Sequence, residues 1–376
     1  MKKAIVPVAL ATALGFSQQV NAVNFDGFLT AGFALHDQED ATYLDTITDD
    51  IRFDNDSKFG LQVTADVAEN MQAVAQILAA GSDENFDLDV EWAYIDWRLN
   101  NVMSLRAGKV KEPVFLISDY IEVGYAYPWI RPPQEVYRNN PITTINGMEA
   151  LFQTSFSNMS LTFQPYVGTN TEAVPGTNGG LQFDASNFYG TALQLASRAF
   201  TLQMSYLKTD VATSDISGTG FFAANGFVAD GEAELISAGL SWDVNNFVGY
   251  TEYVTRDISE AQMEGIFPDQ DAWYVTLGYR MGNFLPHITF ANSEAEPIAN
   301  PAANQGVTQD SITLGVRYEI NNSAAFKFEV QSITPDIAAG SGGLFGQNLD
   351  GSPAVPADFV DGDSATMISA AVDIIF

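Results

Sequence analysis

The chain has 376 residues, no cysteine, and 47 acidic against 16 basic side chains, a formal charge of −31. The missing thiols exclude a disulfide framework and thiolate metal centres, and the charge excludes a nucleic-acid partner, which needs a cationic surface. With 46% apolar residues and 12% aromatics, the chain is not the disordered polyanion that its charge alone suggests.

Residues 1–22 read as a cleavable export signal. Lys2 and Lys3 precede the short apolar run "AIVPVALATALGF", and Val20-Asn21-Ala22 offers small residues for cleavage. Removing the two lysines leaves 14 basic against 47 acidic residues, a charge of −33. No later stretch approaches the ~18 consecutive apolar residues of a membrane helix. Residues 23–376 read as one domain.

From residue 23 onward, apolar and polar residues alternate with a period of two. The alternation predicts sixteen strands, at 23–35, 56–68, 71–80, 88–99, 102–110, 145–156, 159–168, 188–196, 199–208, 232–243, 247–256, 272–281, 284–292, 311–320, 324–334 and 364–376. In "SKFGLQVTADVA", Phe59, Leu61, Val63, Ala65 and Val67 share one face, while Lys58, Gln62, Thr64 and Asp66 share the other. Even-numbered strands are followed by short turns rich in Asn, such as Asn100-Asn101, Asn245-Asn246 and Asn321-Asn322; Asn tolerates the positive φ of tight hairpins. Odd-numbered strands are followed by long connections, read as acidic and free of basic residues except in the third. One rim of the sheet is therefore tight and the other elaborate. An even strand count with short inner turns and long outer loops predicts an all-β fold, a transmembrane antiparallel β-barrel of about 16 strands. Closure removes the unpaired edges that lipid cannot solvate.

Several side-chain groups take meaning in that frame. Trp92, Trp97, Tyr166, Trp242, Tyr253, Trp273, Tyr279 and Phe376 fall near strand ends and are expected in interfacial girdles. On the polar face stand Lys58, Arg98, Arg106, Arg256, Arg280, Arg317 and Lys327, with Asp96, Glu149, Glu252, Glu319, Glu329 and Asp373. A charge facing mid-bilayer lipid costs about 2–4 kcal/mol, so this face is expected to meet a watery lumen. Pairs in the outer loops, Asp269 with Asp271 and Asp361 with Asp363, are weak candidates for Ca²⁺ or Mg²⁺. No cofactor is otherwise implied. His36 and His287 are the only histidines, and neither has the sequence context of a catalytic base.

The third long connection, residues 110–144, differs from the other loops. It holds five prolines, five Tyr or Trp residues, and the basic residues Lys111, Arg131 and Arg138. A sixteen-stranded acidic barrel with such a loop resembles the trimeric porins of Gram-negative outer membranes. "RAGKVKEPVFLIS" is similar to the G-x-x-K-x-P-x-x-L pattern of phosphate-selective porins, and "VGYAYPWIRPPQEVY" resembles a segment of porin-like proteins. The final "TMISAAVDIIF" resembles the signal read by the barrel-assembly machinery, with Phe376 as its terminal aromatic.

The resemblance implies an outer-membrane homotrimer, in contact with lipid and lipopolysaccharide, that passes small hydrophilic solutes and ions. It implies a third loop folded into the lumen, with Asp119, Glu122, Glu135 and Arg131 on the loop side of a constriction. Lys58, Arg98, Arg106 and Asp96 would then lie on the wall side. The remaining charges named above would line the lumen elsewhere. The acidic loops predict a preference for cations. The chain lacks the P-E-F-G-G tip of general porins and the lysine and arginine ladder of phosphate channels. A substrate-specific channel and a surface adhesin or scaffold of low conductance are the competing readings.

Overall fold

A computed structural model describes residues 23–39, 41–44, 46–82, 85–173, 180–224, 226–296, 306–336, 343–345, 360 and 362–376; the export signal lies outside them. Sixteen strands occupy the described residues: β1 (Val23–His36), β2 (Lys58–Ala68), β3 (Met71–Ser82), β4 (Asn85–Arg98), β5 (Met103–Lys111), β6 (Thr144–Phe156), β7 (Met159–Ala173) and β8 (Leu181–Ala196) form the first half. The second half is β9 (Phe200–Asp215), β10 (Asp230–Val244), β11 (Phe247–Ile258), β12 (Gln270–Tyr279), β13 (Phe284–Ala295), β14 (Gln309–Asn321), β15 (Ala324–Pro335) and β16 (Ala365–Ile375). Each pairs antiparallel with its sequence neighbours, and β1 closes the barrel on β16 through Phe28 opposite Ile375 to His36 opposite Met367. Among the described residues no helix is long and apolar enough to cross a membrane.

The alternation sorts side chains as predicted. Phe25, Leu88, Leu314 and Met204 stand outward, each more than half exposed, while their sequence neighbours point inward. Only about 9–11 tilted residues are needed to cross lipid, yet β8 and β9 each have 16. The predicted strands stopped where apolar alternation stopped, whereas backbone pairing continues beyond the lipid. For the same reason the second outer connection is not long: β3 and β4 remain paired up to Ser82 opposite Asn85.

The turns refine the argument from Asn. Asn245 and Asn246 do take positive φ, 50° and 72°. At Asn100 the side chain instead accepts hydrogen bonds from Val102 N (2.8 Å) and Met103 N (3.1 Å), and Asn321 Oδ1 accepts from Ser323 N at 2.8 Å. Asn serves there by mimicking a backbone turn.

The girdle expectation holds for part of its set. Trp97, Tyr253, Trp273, Tyr279 and Phe376 are 41–66% exposed, and Trp242 lies against the backbone of Gly249 on the outer face. Trp92 and Tyr166 are buried at 9% and 2%. A bulge at Glu91, between the pairs Gln76–Trp92 and Ile77–Val90, switches the faces of β4 and turns Trp92 inward. The outer loops are also not free of base, because Arg52 in the first connection pairs with Asp54.

Inside the barrel the structure departs from a lumen lined wholly by polar groups. Residues 112–143 turn inward, and Val114, Ile117, Tyr127, Trp129 and Val136 pack on the inward side chains Leu207, Leu235, Val254 and Tyr274. Those wall positions belong to the face read as polar, so the apolar patch on it went unrecognised.

Candidate functional site: the inward loop and its wall

The loop is tied to the wall by strand side chains that hydrogen-bond its backbone. Gln203 Nε2 donates to Phe115 O (2.8 Å), and Ser205 and Ser237 hydroxyls donate to Val114 O (2.9 and 2.6 Å). Glu252 accepts from Leu116 N (2.7 Å), Tyr274 OH (2.9 Å) and Tyr137 OH. Further round, Trp129 Nε1 donates to both Thr276 and Thr289 hydroxyls at 3.0 Å, and Glu329 accepts from Ile130 N at 3.0 Å. Arg317 donates to Tyr127 O (3.0 Å) and lies 4.6 Å from the Tyr125 ring centroid. Lys327, fully buried, donates to Gly124 O (2.6 Å) and Trp129 O, and faces Asp373 at 2.8 Å as an ion pair off the line of a hydrogen bond. Thr30 Oγ1 donates to the other Asp373 oxygen at 2.7 Å. Gly124 must lack a side chain, because a Cβ there would lie 2.2 Å from Asp373 Oδ1. Arg256 donates to Asn139 O at 3.0 Å, fixing the loop's return.

These anchors run from β9 round to β1. On the other side the loop presents acids to β2–β6. Glu122 pairs with Lys58 at 3.1 Å; burial would raise its carboxyl, but Lys58 and Lys111 hold it below the usual carboxylate value. Arg106 sits between Asp96 and Glu149, 2.9 Å from each, and lines one cavity with Asp119, which is exposed. So Asp119, Glu122, Lys58, Arg106, Asp96 and Glu149 come together.

The other residues chosen from sequence go elsewhere. Arg98 is exposed as the last residue of β4, at the short-turn rim, where its N–H donates to Asn70 O. Arg131 pairs with Asp56 and Ser369, so it binds the loop to the wall. Glu135 is 1% exposed and accepts from Gln309 at 2.8 Å; burial raises its carboxyl. Glu135 is removed from the face that carries Asp119 because the short helix Gln134–Tyr137 packs on β11–β13, and Arg131 because its partners lie in the first connection and on β16. Arg280 pairs with Asp243 at 2.7 Å and Arg317 with Glu319 at 3.5 Å, beside a cavity of about 310 Å³ below the loop. Asp269 accepts from Ile258 N (2.6 Å), Asp271 from Tyr253 OH (2.9 Å) and Asp363 from Val360 N (2.9 Å); Asp361 lies outside the described residues. Among the described residues no group of three or more His, Cys, Asp or Glu side chains converges as a metal site. Both ring nitrogens of His287 are buried without a hydrogen-bond partner.

Sequence reading missed the base of the loop. Lys111 and Glu91 form a buried ion pair, and Glu112, 2% exposed, accepts from Asn140 Nδ2 at 2.7 Å. The break of alternation at Glu91-Trp92 was the available signal. Burial pushes the Glu112 carboxyl up to about 8. The folded state therefore keeps a proton that the unfolded chain releases above its ordinary value of 4.5. Stability conferred here is full below pH 4.5 and is lost as pH rises to about 8, at about 1.4 kcal/mol per pH unit. Glu112→Gln is expected to flatten that part of the curve of unfolding midpoint against pH.

A closed barrel with an apolar outer band, a charged interior and an inward third loop is a channel-forming protein of an outer membrane. The profile of the Gram-negative porin family matches residues 4–337. The chain belongs to that family and resides in the outer membrane as a channel for passive diffusion. Among solved structures it is similar to OmpT of Vibrio cholerae (14% identity, TM-score 0.56, covering 96% of this chain and 99% of that one). It is also similar to Salmonella typhi OmpF in complex with daunomycin (12%, 0.58, 94% and 98%). An anion-selective porin from Comamonas acidovorans is a third (11%, 0.58, 95% and 100%). At these identities the likeness concerns the fold. No curated protein matches the chain.

Proposed function

We propose that the barrel conducts small hydrophilic solutes with a preference for cations, through a constriction between Asp119–Glu122 and the wall of β2–β6. The observation that carries this reading is the charge balance at that gap. Lys58 is balanced by Glu122, while the single Arg106 faces both Asp96 and Glu149; with the exposed Asp119 beside them, carboxylates outnumber cations in this group by four to two. The acidic outer loops add the same sign, an effect that salt screens. The reversal potential in a planar bilayer under a tenfold KCl gradient tests it. Cation preference is expected, and Asp119→Asn with Glu122→Gln is expected to move the potential towards zero. Anion preference in the unaltered protein would overturn the reading.

A second reading, a narrow substrate-specific channel, is favoured by the apolar packing around Trp129. Saturable, blockable current would distinguish it from current that scales with salt. The protein is further read as a homotrimer, supported by the trimer form of Vibrio cholerae OmpT and by the small outward residues Ala73, Ala75 and Ala79 of β3. Contact with lipopolysaccharide through the acidic loops, bridged by Ca²⁺ or Mg²⁺, belongs to the same proposal. So does delivery by the barrel-assembly machinery through Phe376, which stacks near Phe59 at the seam.

A further inference from the structure

Four inward side chains on neighbouring strands form a single row. Gln153 on β6 is paired with Thr162 on β7, Thr162 with Gln194 on β8, and Gln194 with Gln203 on β9. Such direct cross-strand partners lie side by side on the wall. Gln194 Nε2 donates to Gln203 Oε1 at 3.1 Å, and Gln203 holds the loop, so those two amides are oriented. Among the described residues the side chains of Gln153 and Thr162 have no hydrogen-bond partner, and Gln153 is exposed to the lumen.

The row faces loop residues across a cavity of about 160 Å³, which Asp119 and Arg106 also line. Arg106 is already held by two carboxylates, so the cavity offers an anion no free cation. What it does offer is uncharged groups that both donate and accept, together with one exposed carboxylate. That is the complement of a neutral solute carrying several hydroxyls, because each hydroxyl also donates and accepts. Asp119 can accept from two adjacent hydroxyls, and the half-buried Tyr120 ring supplies an apolar face for ring C–H groups. The volume lies below the roughly 300–1,000 Å³ of drug-sized sites, on the scale of one sugar ring.

We infer that Gln153, Thr162, Gln194 and Asp119 form a subsite for neutral polyhydroxylated solutes of monosaccharide size. This deepens the reading of the barrel as a solute channel and rests on it for its physiological role, but binding is measurable without conductance. Saturation-transfer NMR of glucose with the detergent-folded protein is the test, with gluconate as the anionic comparison. Glucose is expected to receive saturation and gluconate to receive less. Gln153→Ala and Thr162→Val, which disturb no loop anchor, are each expected to weaken glucose binding about five-fold, the effect of one lost hydrogen bond. Circular dichroism checks that both variants remain barrels. No transfer to glucose, or equal affinity in the two folded variants, would overturn the subsite. KCl conductance of the same preparation separates the two ideas: current without glucose binding sinks the subsite alone, and binding without current sinks the channel reading.

Discussion

Replacing Lys327 with Met is expected to cost the folded barrel about 3–5 kcal/mol. The ammonium group is fully buried, faces Asp373 at 2.8 Å, and donates to the carbonyls of Gly124 and Trp129. Methionine fills a similar volume, so packing is largely conserved. What it cannot do is neutralise Asp373, which would be left buried beside Thr30 without its direct ion-pair partner. Denaturant unfolding in detergent, followed by circular dichroism, measures the loss. Adding Asp373→Asn to the variant removes the stranded charge and is expected to recover part of it. If the single variant unfolded like the unaltered protein, the ion pair would not be what fixes the loop.

The second large effect is expected at Trp129. Its side chain is 1% exposed and meets Tyr250 and Tyr274 edge-on, with ring centroids 4.8 and 5.5 Å away. Trp129→Ala is expected to destabilise the barrel by about 3–5 kcal/mol, as for other buried large-to-small changes. The lost hydrogen bonds matter less, because the hydroxyls of Thr276 and Thr289 already lie 2.8 Å apart and bond to each other. Trp129→Phe, which keeps most of the ring packing, is therefore expected to lose much less. Unfolding midpoints of the two variants compare packing with hydrogen bonding directly, and equal losses would show that the indole N–H dominates. In single-channel records, Trp129→Ala is expected to give noisier current, since the loop loses its central contact.

The strands were legible because lipid outside and water inside impose opposite demands on successive residues, and each of the sixteen left that mark. Strand ends above the membrane were not, since pairing there continues without apolar alternation, as in β8 and β9. The site was legible in charge and not in depth. Lys58 and Arg106 could be read on the inward face because a charge turned to lipid is costly, whereas Asp119 and Glu122 were set opposite them only by the family resemblance. Arg98 was misjudged because alternation reports which face a residue takes and says nothing of its height along the strand. Glu135 and Arg131 were misjudged because a loop has no period from which to read direction. The interior packing around Tyr274 and Val254 stayed hidden, since apolar residues on the inward face look like noise until a loop is there to cover them.

The seam between β1 and β16 has a consequence in time. Thr30 meets Asp373 across 343 positions of sequence, and the backbone of Gly27 exchanges hydrogen bonds with Phe376 at 2.8 and 3.0 Å. The strand made first thus waits, with one edge bare, for the strand made last. Pairing over such separations is slow to form, and an open edge in lipid leaves backbone groups unsatisfied. A growing sheet cannot be half committed to the bilayer. Insertion and closure must fall together, so a chain stalled before β16 is left as material for proteolysis, with no smaller pore to fall back on.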